Sequence, residues 1–228
     1  MFANDYDTLP AYTSLDQIFS GKLFSFFSCT EVINTDLLYE EEKELLIRYS
    51  FKRQVDFCKG RYCSRKALEK MGYHYSPILR DEHGAPIWPE GATGSISHSG
   101  DIAAAVVVPN ASIQGIGLDI QNMYVIFPSS VLSILLHDDE VAAFLSVPEK
   151  LSDLYAYAIF SAKESAIKCF YTIFGYLVNL NEVVVEMNVV KGKFKASVPT
   201  NQDAPSLKLN GRIGFNEDYV FSAAWLPR

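Results

Sequence analysis

Of the four cysteines in this 228-residue chain, none forms a Cys-x-x-Cys pair and none stands at a Cys/His spacing that would cage zinc. Cys29, Cys58, Cys63 and Cys169 therefore read as reduced, mostly buried thiols of a cytosolic protein. The start, MFANDYDTLP, lacks the basic end and apolar core of a signal peptide. The run Leu23-Phe24-Ser25-Phe26-Phe27 is too short to span a bilayer, so neither secretion nor membrane insertion is expected. Low-complexity tracts and short repeats are missing too. No Gly-x-Ser-x-Gly elbow occurs, which leaves a hydrolase triad without support. Positive charge is scarce, with 20 Lys and Arg against 27 Asp and Glu and a net charge of -7, which disfavours a nucleic-acid binder. It leaves room for a local basic pocket, because pockets are local and net charge is global.

What is present is apolar. Hydrophobic residues make up 49% of the chain and aromatics 13%, enough for a buried core and against disorder. Residues 1 to 35 read as an extended lead-in with a short strand near 23 to 29. Leu37 to Met71 suits one long helix or two, closed by Gly72. Residues 77 to 93, rich in proline and glycine, read as a loop. Ile102 to Val108 and Ile116 to Ile120 read as strands on either side of a linker over 109 to 114. A short helix is expected over 138 to 146, with Asp138 as N-cap. Leu151 to Phe174 has the clearest helical period, stopped by Gly175. Strands are expected at 182 to 190, 193 to 198 and 219 to 226. The class is α+β.

Three segments carry candidate chemistry. In Gly115-Ile-Gly-Leu-Asp119-Ile-Gln121, strand alternation puts Asp119 and Gln121 on one face and Leu118 and Ile120 on the other. A carboxylate there suits a hard cation, but spacing alone favours Asp119 as a turn cap. In Phe160-Ser-Ala-Lys163-Glu164-Ser-Ala-Ile-Lys168, Glu164 and Lys168 share a helix face; spacing alone allows an ordinary surface ion pair. In Gly94-Ser-Ile-Ser97-His98-Ser99, the Ser97 hydroxyl and His98 imidazole could reach a phosphate, or His98 could be structural. Arg53, Arg61, Arg65 and Lys66 on the helical region, with Arg80 after it, suggest an anion site or a solvated helix face.

Taken in order, these segments resemble the 4'-phosphopantetheinyl transferases of the surfactin-activating type, and within them the branch that includes enterobactin synthase component D. The family's Gly-x-Asp-x-Glu strand stands as Gly117-Leu-Asp119-Ile-Gln121, and its Trp/Phe-Ser/Ala/Cys-x-Lys-Glu-x-x-x-Lys helix as Phe160 to Lys168. Gly60-Arg61-Tyr-Cys-Ser-Arg65-Lys-Ala67-Leu68, Gly84-Ala-Pro86-Ile-Trp88-Pro89-Glu-Gly91 and Gly94-Ser-Ile-Ser97-His98 match further motifs. The likeness runs from about Lys52 to Tyr171.

The resemblance implies two similar α+β halves in pseudo-twofold relation, residues 1–112 and 113–228, with the active site in the cleft between them. It implies a monomer that moves the 4'-phosphopantetheine arm of coenzyme A, its substrate, onto a serine of an acyl, peptidyl or aryl carrier protein. Arg53, Arg61 and Arg80 would hold phosphates, with Ser97 and His98 beside them. The loop including His83, Gly84, Ala85 and Pro86 would pack near the nucleotide. Asp119, Gln121 and Glu164 would ligate Mg²⁺, or Mn²⁺ in its place, and Asp119 would also lie against the coenzyme. Lys163 and Lys168 would face the phosphates, with Glu164 as general base. Gln121 departs from the family's glutamate, and Ala85 from a frequent lysine. Gln121 would bind the metal weakly, or leave it to Asp119, Glu164 and phosphate. A coenzyme-binding module without turnover and a Mg²⁺-dependent nucleotide hydrolase are the rival readings. A carrier-docking patch is expected near Tyr124 to Ser130.

Overall fold

A computed structural model describes residues 14–19, 23–31, 33–74, 76–200 and 204–228. The expectations placed on residues 1 to 13 lie outside the described residues. The elements follow from hydrophobic period. Helices α1 (Leu15–Ile18), α2 (Glu40–Glu44) and α3 (Phe51–Lys70) accompany strand β1 (Ser25–Cys29). Strands β2 (Ala92–Ser99), β3 (Ile102–Pro109) and β4 (Ile113–Asn122) come next, then helices α4 (Ser129–Leu135), α5 (Asp138–Leu145) and α6 (Ser152–Phe174). Strands β5 (Val184–Asn188), β6 (Lys193–Val198), β7 (Leu207–Phe215) and β8 (Tyr219–Pro227) complete the chain.

The strands form two antiparallel sheets, ordered β1-β3-β2 and β4-β8-β7-β6-β5. Alternation assigns their faces. On β3, Ala103, Ala105 and Val107 pack against Cys63, Ala67 and Leu68 of α3. Ala104, Val106 and Val108 join Ile116, Leu118 and Ile120 of β4 in one core. The other face of the five-stranded sheet, through Leu209, Ile213, Val220 and Ala224, packs on Ala158, Ala162, Ala166 and Phe170 of α6. The layers therefore run helix, sheet, sheet, helix, an α+β fold.

A side-chain seam joins the two sheets. The hydroxyls of Ser95, Ser97 and Ser99 on β2 accept the backbone N–H groups of Leu118, Ile120 and Asn122 at 2.9, 3.1 and 2.9 Å. The outer edge of β4 is thus satisfied by alternate serines instead of a backbone ladder.

Several boundaries differ from expectation. The 37–71 region is a short α2, a 3₁₀ turn over Leu45–Arg48 and the long α3. The N-cap of α5 is His137, whose Nδ1 accepts the Asp139 N–H at 3.1 Å; Asp138 is the first helical residue instead. Helix α6 ends at Gly175 in the left-handed region, as expected. Helix α4 and strand β7 are elements for which the sequence carries no expectation above. All four cysteines are free, three of them buried. Among the described residues, no helix is long and apolar enough to cross a membrane.

Candidate active site

Asp119 is placed by a close approach of helix and strand. Gly115, Gly117 and Asp119 point from β4 toward α6. A Cβ on Gly117 would stand 2.7 Å from the Cys169 amide nitrogen and well inside contact with the Ser165 carbonyl oxygen. A Cβ on Gly115 would stand 2.8 Å from the Cys169 carbonyl oxygen. Without those side chains α6 presses its backbone onto β4. The turn of α6 that carries Glu164 and Lys168 then meets the next residue on that face, Asp119.

There the Asp119 carboxylate, 2% exposed, accepts from Lys168 Nζ at 2.7 Å and from Gln121 Nε2 at 2.8 Å. Ser97 Oγ, from the other sheet, lies 3.4 Å away. Lys168 also donates to the Leu118 carbonyl at 3.2 Å. Its ion partner is Asp119, not Glu164 one turn before it. Glu164 is half-buried and makes no hydrogen bond or ion pair with the described residues. Burial raises its carboxyl above the usual range, Lys168 pulls it back and the charge of Asp119 raises it further. Two carboxylates and an ammonium thus converge where α6 crosses β4.

Across the seam lies a set of cations built on aromatics. Arg53 and Arg80 both stack on Tyr49, at 5.6 and 5.2 Å from the ring centre, and Arg80 also donates to the Tyr49 hydroxyl. Arg61 stacks on Phe57 at 4.3 Å, and Phe57 packs on Tyr49. Arg61 is 5% exposed; it makes a long hydrogen bond to the Leu79 carbonyl, 3.4 Å, and its Nε has no partner among the described residues. Burial lowers its pKa to about 10, so it stays charged at neutral pH. A buried guanidinium with an unfilled donor suits an incoming anion. Arg53 Nη1 lies 2.7 Å from His98 Nε2, and Asp56 sits 3.6 Å from the other ring nitrogen. Burial is the main reason His98 holds its proton less tightly than usual, helped by Arg53 and Lys168. A neutral ring can accept from Arg53 while its other N–H faces Asp56.

The loop between α3 and β2 links these groups. Arg80 and Pro86 form a bridge around a turn in which the Asp81 amide donates to the Ala85 carbonyl at 2.9 Å and the Gly84 amide to the Asp81 carbonyl at 3.1 Å. His83 is exposed, at the tip of this turn.

Three expectations fare differently. The structure brings Asp119, Gln121, Glu164, Lys168, Ser97 and His98 together, and groups Arg53, Arg61 and Arg80. It does not bring Lys163 there. Lys163 is 0% exposed, with its ammonium held by Glu140 at 2.5 Å and the Leu135 carbonyl at 2.6 Å. Glu140 in turn accepts the N–H groups of His137 and Val185. Five residues turn a helix by about 500°, so Lys163 and Lys168 face about 140° apart. Lys163→Met should therefore destabilise the fold by about 3 kcal/mol by stranding the buried Glu140 charge. Chemical unfolding checks this. The activity of the folded fraction should stay near wild type. Arg65 is structural in the same way, paired to the buried Glu42 at 2.8 and 3.0 Å. Residues the sequence reading passed over, Tyr49, Asp56, Asp81 and Tyr171, carry the second layer of contacts.

A cation ledge facing a carboxylate–lysine cluster is the architecture of a protein that handles a phosphate-bearing ligand. Family comparison gives the class a name. The model for the 4'-phosphopantetheinyl transferase N-terminal domain matches residues 41–108, and that for the 4'-phosphopantetheinyl transferase superfamily matches residues 115–224. The chain is 33% identical over 165 residues to enterobactin synthase component D of Escherichia coli O157:H7, covering 69% of this chain and 74% of that one. It is 30% identical over 171 residues to the 4'-phosphopantetheinyl transferase Svp of Streptomyces mobaraensis, covering 70% of this chain. It is 31% identical over 134 residues to the 4'-phosphopantetheinyl transferase PptT of Mycobacterium tuberculosis, covering 58% of this chain. The match spans 65% of the length of Svp and 58% of PptT. This chain belongs to the 4'-phosphopantetheinyl transferase superfamily.

Proposed function

We propose that the chain transfers the 4'-phosphopantetheine group of coenzyme A to a serine of an apo carrier protein, with release of 3',5'-ADP. The observation that carries this is the Asp119–Lys168–Glu164 cluster set across the seam from Arg53, Arg61 and Arg80. One side supplies cations for the 3'-phosphate and pyrophosphate, the other the carboxylates and ammonium for the transferred phosphorus.

The serine oxygen of the carrier attacks the phosphorus that bears the pantetheine arm. The bond to the bridging pyrophosphate oxygen breaks, and 3',5'-ADP departs with that electron pair. Such transfers depend mostly on positioning and charge neutralisation. Glu164, half-buried and beside Lys168, takes the serine proton, directly or through a water. Lys168 stays fixed by Asp119 and meets the charge that grows on the phosphoryl oxygens. Arg61 offers its unfilled Nε to the ligand's phosphates. The donor set tests the fit of a divalent cation. Among the described residues no three His, Cys, Asp or Glu side chains converge. Two carboxylates do, within reach of each other's charge, which fits Mg²⁺ completing its shell with phosphate and water. Asp119 and Glu164 would hold that ion, which supplies Lewis-acid stabilisation of the pyrophosphate.

Gln121 enters as a donor to Asp119, not as an acidic ligand. Gln121→Glu should lower the Mg²⁺ concentration giving half-maximal rate by about tenfold, because a carboxylate outbids an amide oxygen for Mg²⁺. An unchanged or higher requirement in a Mg²⁺ titration sinks the idea. The exposed run Tyr124-Val125-Ile126, 60, 64 and 79% accessible, follows β4 directly. It is anchored at the Val125 carbonyl by the Tyr157 hydroxyl and supplies an apolar docking surface for the carrier.

One observation favours a coenzyme-binding module without turnover: Gln121 leaves the cluster one carboxylate short. Mixing protein, coenzyme A, Mg²⁺ and an apo carrier, then weighing the carrier, separates the two. A gain of one phosphopantetheinyl arm supports transfer. No gain with peptidyl, aryl and acyl carriers supports the module, and coenzyme A cleavage without any carrier supports hydrolysis.

A further inference from the structure

Neighbouring residues Arg80 and Asp81 are held by opposite halves of the molecule. Arg80 lies on Tyr49, in the segment leading into α3. Asp81 Oδ2 accepts the Tyr171 hydroxyl of α6 at 2.6 Å, across 90 residues of sequence. Tyr171 sits one turn beyond Lys168 on that helix. The other carboxylate oxygen, Asp81 Oδ1, accepts the amides of His83 and Ala85 at 3.0 and 2.9 Å. The His83 ring meets the Tyr171 ring edge-on at 5.7 Å. Asp81 thus folds the turn with one oxygen and docks it with the other.

The protonation states keep this contact in place. The bond to Asp81 pushes the Tyr171 phenol up to about 12, so it remains a donor at physiological pH. Partial burial disfavours the Asp81 charge, but the Tyr171 hydroxyl and the Ala85 and His83 amides outweigh it and hold its carboxyl below the usual value. A charged acceptor facing a phenol is among the stronger hydrogen bonds a surface can carry.

We propose that Tyr171 and Asp81 are a positioning pair that latches the 81–86 turn onto α6 and sets the distance between the arginine ledge and the Asp119–Lys168 cluster. Neither residue touches the reacting atoms. The latch acts on how well the anionic coenzyme spans both sites, so it governs coenzyme affinity and not the transfer step. This rests on the transferase reading for its ligand, but not for its geometry.

Coenzyme A binding by calorimetry, carrier loading at saturating coenzyme, and amide exchange of the free protein form the test. Tyr171→Phe and Asp81→Ala should each weaken coenzyme A binding about tenfold, as loss of a hydrogen bond to a charged group does. The double variant should be no weaker than the worse single one, because either change opens the same latch. The rate at saturation should stay within about twofold of wild type. Asp81→Asn, whose carbonyl oxygen can still accept the His83 and Ala85 amides while its NH2 donates to the Tyr171 oxygen, should restore most of the affinity. Exchange at the His83 and Ala85 amides should quicken in Tyr171→Phe with no other segment affected. Additive losses, unchanged affinity, or a lower saturated rate with intact affinity overturns the latch. If the wild-type protein neither binds coenzyme A nor loads a carrier, the transferase reading fails instead. The exchange result then decides the latch alone: faster exchange at His83 and Ala85 upholds it, and unchanged exchange rejects it.

Discussion

Asp119→Ala is expected to reduce carrier loading, as kcat/KM, on the order of a thousandfold while leaving the protein folded. Three groups converge on this carboxylate from three elements: Lys168 of α6, Gln121 of β4 and Ser97 of β2. Without it Lys168 keeps only its bond to the Leu118 carbonyl, and the cluster keeps a single acid, Glu164. The fold survives because the Lys168 side chain, 32% exposed, can take water in place of the lost partner. Asp119→Asn sharpens the point, since it keeps the shape and removes the charge. Mass analysis of the carrier against time gives the rate, and thermal unfolding shows that the loss is not misfolding. An Asp119→Asn protein within about threefold of wild-type kcat/KM would remove the carboxylate from the mechanism.

Gly117→Ala is expected to cost about 3 kcal/mol of stability, at the upper end for an inserted methyl group, and to remove activity as well. The new Cβ meets the Ser165 carbonyl and the Cys169 amide, which are backbone and cannot rotate away. Helix α6 must lift from β4, and that carries Lys168 and Glu164 away from Asp119. Denaturant unfolding reads the first effect and carrier loading the second. Stability within about 0.5 kcal/mol of wild type, with full activity, would mean that the close approach of α6 to β4 does not hold the site.

What could be read from residues alone follows the range of the forces involved. Alternation along β4 separated Asp119 and Gln121 from Leu118 and Ile120, because a strand fixes that locally. Helical period delimited α6, and turn chemistry placed Gly175. The Lys163 assignment failed although the helix itself held the answer, since five residues of rotation carry it off the Glu164–Lys168 face. Its partner Glu140 could not be read, being on another helix 23 residues away. Strand β7 escaped because Asn210-Gly211 signals a turn, whereas here the Phe194 ring fills the space over Gly211. Tyr49 and the Asp81–Tyr171 contact depend on tertiary proximity, which no local pattern announces. Ser97, a candidate phosphate donor by sequence, is 5% exposed: its oxygen accepts the Ile120 amide in the joint between sheets and its hydroxyl is directed at Asp119.

That joint imposes a grammar on its own sequence. Ser95, Ser97 and Ser99 occupy one face of β2, so Ile96 and His98 are compelled to the other, where His98 meets Arg53. Adhesion and ligand chemistry are thereby written on the two sides of a single five-residue word. An insertion or deletion of one residue within it would swap the sides. The two sheets would lose their stitches in the same event that turned the imidazole away from the arginines. Sequences of this architecture can change letters within the word, but they cannot change its length.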